Sequence, residues 1–84
     1  MDGMTRYFIV GRKGNKDKTL FSTSNEEGLR EFVRTLFIHY MKEYATLPSA
    51  MAAFETAHRY TYIVDWQDRK LVSLLQYAQE QNII

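Results

Sequence analysis

Apolar side chains recur at Leu29, Phe32, Val33, Leu36, Phe37, Tyr40, Met41 and Tyr44, in spacings that alternate three and one. That rhythm gathers them on one face of an α-helix. Ser24 occupies an N-cap position, and Glu27 three residues later completes a capping box. The pattern predicts a long amphipathic helix over 24–44 that stops around Ala45-Thr46, ahead of Leu47-Pro48. Pro48 disfavours helical geometry at Leu47 but suits the first turn of a new helix. A second, shorter helix is therefore expected over about 48–58, with Leu47, Met51 and Phe54 turned inward and alanines keeping it slim.

Before the long helix, Tyr7-Phe8-Ile9-Val10 and Thr19-Leu20-Phe21 are short β-prone runs on either side of Gly11–Lys18. They read as a hairpin turning at Gly14-Asn15 or through a longer loop. The tight turn would set Lys13 against Lys16, Arg12 against Asp17 and Phe8 against Phe21. Both faces of the first run are apolar, which suits an inner strand. From Arg59 to Trp66 the period changes to two, with Tyr60, Tyr62, Val64 and Trp66 on one face.

Leu71, Leu74, Leu75 and Ala78 then return to helical spacing. The preferred reading makes Asp65 the N-cap of one last helix, with Asp68 in its first turn and Asn82 as its stop. The rival reading turns a second hairpin at Gln67–Arg69 into a strand over Lys70–Leu75, with Ser73 and Gln76 opening a shorter helix. The expected fold is a single small α+β domain spanning 1–84. Its order is β-β-α-α-β-α, and a three-stranded, mainly antiparallel sheet packs against the long helix.

Eighty-four residues with six Tyr, five Phe and one Trp make a core of limited volume filled by large side chains. Oligomerisation is a common remedy at this size, so a homodimer stays open. There is no cysteine, which excludes disulfides, thiolate zinc sites and a cysteine nucleophile. No apolar run reaches the roughly 20 residues of a membrane span, and Met1-Asp2-Gly3-Met4 lacks the core of a signal peptide. A soluble, cytoplasmic protein is expected. Residues 1–5 are expected to be disordered or a non-native leader, with Met1 and Met4 both open as the native start.

Net charge is +1, but it is unevenly spread. Residues 1–20 hold five basic and two acidic side chains, and residues 21–84 hold six basic and eight acidic. Arg12, Lys13, Lys16 and Lys18 on a protruding hairpin are placed to grip phosphates. Tyr7, Phe8, Tyr60 and Tyr62 would stack on unpaired bases wherever they face outward. The same lysines also discourage edge-to-edge aggregation. A helix-turn-helix reading helix over 49–59 would bring basic character only at His58 and Arg59, which equips it poorly for a groove.

Candidate chemistry is sparse. Glu55 and His58 form one Glu-x-x-His pair, where a two-metal carboxylate site needs two such pairs and more carboxylates. His39 and Glu43 lack a marked third ligand. No serine lies in a nucleophile elbow. No catalytic residue, metal site or cofactor is expected, and the chain is read as a non-enzyme. The leading expectation is a protein-interaction module, an adaptor or inhibitor for an unidentified protein partner, with Tyr60, Tyr62 and Trp66 as contacts if their face of the sheet is uncovered, the other reading being that this face packs under a helix. Short cysteine-free domains of this sort are common among accessory proteins of phages and mobile elements. The alternative is nucleic-acid binding through the basic hairpin 11–18.

Overall fold

The computed structural model describes residues 5–84, so Met1 to Met4 and the expectations attached to them lie outside the described residues. Strands β1 (Tyr7–Lys13) and β2 (Lys16–Thr23) form the first hairpin, joined through Gly14-Asn15. Gly14 has φ +64, a conformation that costs glycine nothing at the first position of a primed turn. The expected register holds at the tip, where Lys13 pairs with Lys16 and Arg12 with Asp17. It fails further down: Val10 pairs with Thr19 but Ile9 pairs with Phe21, leaving Leu20 as an extra residue in a β-bulge. Phe8 consequently faces Ser22, not Phe21. The bulge sends Phe21 to the other side of the sheet, where it stacks on Phe32 with ring centroids 4.2 Å apart.

Helix α1 runs Glu26–Glu43, two residues shorter at its start than the stripe suggested. Asn25, not Ser24, is the cap, its Oδ1 accepting from Gly28 N at 2.7 Å. Thr23 Oγ1 braces the cap by accepting from Asn25 N at 3.4 Å. Helix α2 (Leu47–Ala57) is capped by Thr46 and carries Pro48 in its first turn. Ala50 and Phe54 are fully buried, whereas Leu47 is half exposed instead of inward. Phe54 meets Phe37 and Tyr40 edge-on, at 5.4 and 5.5 Å, and so binds α2 to α1.

The last third corrects the preferred expectation and follows the rival one. Strand β3 (Thr61–Asp65) turns through residues 66–69 into a fourth strand, β4 (Lys70–Ser73), and a short helix α3 (Leu74–Glu80) follows. Asp65 does not cap a helix. Its carboxylate accepts from Gln67 N and Asp68 N within the turn, and from Arg6 Nε and a terminal nitrogen at 3.0 and 3.1 Å. Arg69 completes the turn at φ +54. Ser73 caps α3 by accepting from Gln76 N at 3.0 Å. Asn82 does stop the helix, at φ +59, with Ile83 N donating to Ala78 O at 2.8 Å and Asn82 N to Gln79 O. That Schellman closure docks Ile83 and Ile84 against the core.

The result is an antiparallel four-stranded sheet in the order β2-β1-β3-β4, not three strands. Helices take one side of it. Tyr7, Ile9 and Ile63 alternate along the two central strands and are buried with Leu29, Val33 and Phe37 of α1 and Leu74, Tyr77 and Ala78 of α3.

Candidate functional site

Strands alternate their side chains between faces, so the even-numbered residues of β1 and β3 point away from the helices. They are Phe8, Val10, Arg12, Tyr62 and Val64, and the structure brings the four apolar and aromatic ones together across the central strand pair, with Val10 opposite Tyr62 and Phe8 opposite Val64. Leu71 on β4 lies opposite Val64 and extends the patch to a third strand. Trp66, just beyond β3, donates its backbone N–H to Arg6 O and sets its indole edge-on to Phe8, ring centres 6.5 Å apart. Among the described residues no helix covers this face. Trp66 keeps 60% of its surface exposed and Leu71 67%.

The three residues expected as contacts lie along or beside this face. Tyr62 is central and half-buried, and Trp66 closes one end. Tyr60 is 60% exposed and stands ahead of β3, its carbonyl accepting from Arg12 N at 2.9 Å. Tyr60 and Trp66 are thus separated by the length of the strand, roughly 20 Å at about 3.3 Å per residue. Tyr7, grouped with the outward aromatics in the sequence, is instead buried on the helix side beneath the Arg6 guanidinium, 4.8 Å from its ring centre. Phe8, Val10, Val64 and Leu71 share this face and are not among the residues the sequence singles out as contacts. The two-sided apolar character of β1 was the signal for Phe8 and Val10. Leu71 gives no such signal, because its spacing to Leu74, Leu75 and Ala78 is helical.

Arg12, Lys13, Lys16 and Lys18 are all exposed at the hairpin. Arg12 Nε lies 3.7 Å from Asp17 Oδ1, a loose pair in which both side chains remain about 60% exposed. With Val10, Tyr62, Val64 and Leu71 these two line a shallow groove of about 320 Å³ on the open face. The hairpin base is thereby continuous with the apolar patch.

On the helix side a larger groove of about 570 Å³ has Leu29, Ile63 and Tyr77 in its lining. Its polar groups are largely spent on one another: Arg6 on Asp65 and Asp68, and Gln76 on Glu80. The hydrogen bonds from Arg6 hold the Asp65 carboxyl below its ordinary pKa, and burial raises that of the Tyr77 hydroxyl. His39 is exposed on α1, while His58 is half-buried between Tyr40 and Phe54. No group of three or more His, Asp or Glu among the described residues is placed to hold a metal ion. No helix of the described residues is long and apolar enough to cross a membrane.

Comparison with known proteins finds no family model, no curated protein and no solved structure that matches the chain. The functional reading therefore rests on the site itself.

Proposed function

We propose that this protein is a non-enzymatic interaction module, an adaptor or inhibitor that docks the open face of its sheet onto a partner protein. One observation carries the reading: Phe8, Val10, Tyr62, Val64, Trp66 and Leu71 form a contiguous apolar patch across three strands with no helix upon it. Contiguous apolar surface rimmed by polar groups is the usual mark of an interaction site. An aromatic anchor such as Trp66 is the residue type on which binding energy concentrates.

The test is capture of a partner from nuclease-treated lysate of the native host by wild type and by Trp66→Ala. Both should give the same circular dichroism, because Trp66 lies outside the buried core. Capture by the variant should be about thirtyfold weaker or worse, the cost of losing a binding hot spot. Equal capture would remove Trp66 from the contact, and loss of folded signal would make its role structural.

A second reading is favoured by the exposed basic residues of the hairpin, Arg12, Lys13, Lys16 and Lys18, with Tyr60 beside Arg12 and Tyr62 lining the same groove as Arg12. Aromatic stacking beside a basic loop suits single-stranded nucleic acid. It predicts that an oligonucleotide binds with a log–log salt slope of about −3 to −4. Reversal of Lys13 and Lys16 to Glu should abolish that binding.

A further inference from the structure

The groove of about 570 Å³ on the helix side lies apart from the open face, and strand register sets its floor. Tyr7 pairs with Asp65, Asp65 with Lys70, and Ile63 with Val72, so all five take the face of the buried Ile63. Leu29 of α1 and Tyr77 of α3 stand as its walls. A volume of this size, with an apolar inner surface and a few polar groups around it, suits a small-molecule site.

Charge narrows what the groove can hold. Four carboxylates line it, Glu26, Asp65, Asp68 and Glu80, against two cations, Arg6 and Lys70. Arg6 is committed to Asp65 and Asp68, at 3.0 and 3.4 Å. Among the described residues neither Glu26 nor Glu80 is in an ion pair, and Glu80 accepts from the neutral amide of Gln76. The guanidinium of Arg6, 4.8 Å from the centre of the Tyr7 ring, shows a cation already seated on an aromatic face here.

An independent observation points to a ligand. Tyr77 is only 7% exposed, and its hydroxyl is buried without a hydrogen-bond partner among the described residues. Burial keeps that hydroxyl protonated, and the titratable groups that act on it are Arg30, Glu26 and Tyr7. Arg30 is engaged elsewhere, its Nε donating to Gln81 Oε1 at 3.2 Å, whereas Glu26 and Tyr7 line the groove. The Tyr77 hydroxyl is therefore directed at the groove from its inner wall. A buried hydroxyl left unsatisfied is destabilising, and a bound group that meets it removes the penalty.

We propose that this groove binds a small organic cation, a primary amine carried on a flat apolar body. The ammonium donates to the Glu26 carboxylate and to the Tyr77 hydroxyl oxygen, Glu80 adds to the negative field, and the body lies on Leu29, Ile63 and Val72. The site is independent of the open face and stands whether or not that face docks a protein.

The experiment is an NMR titration of the full chain, its methyl groups isotope-labelled, with phenethylamine, phenylacetate and benzyl alcohol. Phenethylamine should shift the Leu29, Ile63 and Val72 methyl signals and saturate at about millimolar concentration, with phenylacetate about tenfold weaker or worse. Glu26→Gln should weaken the amine about tenfold and Tyr77→Phe about fivefold, both with the dispersed spectrum of the folded chain. A purely structural Tyr77 hydroxyl would leave the amine's affinity unchanged in Tyr77→Phe. Phenylacetate binding as tightly as the amine would overturn the cation. Amine shifts that ignore both variants, or no saturable shift with any probe, would overturn the site. Nα-acetyl-lysine methylamide presents the same ammonium on a peptide. Tighter binding of it than of phenethylamine would overturn the free amine and make the occupant a lysine of a partner protein.

Discussion

His58 closes α2 with its ring centre 5.9 Å from that of Tyr40 and 5.0 Å from that of Phe54. Its Nδ1 lies 3.3 Å from Thr61 Oγ1, and its Nε2 is buried without a partner among the described residues. Burial lowers its pKa below the ordinary 6.5, since a charged ring there would be cut off from water. The unfolded chain then takes up the proton first, so the folded state is favoured above pH 6.5 and loses stability as pH falls through that value. Melting temperature should therefore drop between about pH 7.5 and about pH 5.5, and His58→Gln should flatten that slope. Asp65 works in a different window. Its pKa lies below the ordinary 3.8, chiefly through the Arg6 hydrogen bonds, so its contribution is complete above 3.8 and is lost only in stronger acid. Asp65→Asn should leave the slope near neutrality as it is. An unchanged slope in His58→Gln would remove the histidine from this account.

At the scale of elements, the junction between β4 and α3 concentrates what sequence and structure disagree on. Ser73 ends the strand and caps the helix with one hydroxyl. Ser73→Ala should cost about 1 kcal/mol, read as a loss of about 4–8 °C in melting temperature for a domain of this size. An unshifted melt would mean that solvent caps α3 as well as Ser73 does. The long α1 was legible because eight apolar positions repeat one period, and β3 because Tyr60 to Trp66 alternate over seven residues. Strand β4 has only four residues, too few to display alternation, and Leu71 falls in step with Leu74, Leu75 and Ala78. The deciding group was Asp65, which is claimed by Arg6, 59 residues away along the chain. No local pattern carries that contact. The Leu20 bulge was hidden in the same way, because only the pairing of two strands reveals a residue without a partner.

The whole molecule is a four-stranded sheet with helices on one side, and the proposed binding role follows from the side left open more than from any motif. Part of the candidate site was legible: Tyr62 and Trp66 lie in one alternating run, but which face of the sheet the helices take is a tertiary decision. Phe8 and Val10 became part of the site only when β1 paired with β3, and Leu71 only when β4 formed. The central claim is that the open face, and not the helix layer, meets a protein. Its most direct test places a photo-crosslinking amino acid at Leu71 on that face and, separately, at His39 on the exposed surface of α1. Both proteins are irradiated in the native host. The account predicts one discrete protein adduct from position 71 and none from position 39. The same adduct from position 39 with none from 71, or adducts from 71 that disappear on nuclease treatment, would contradict it.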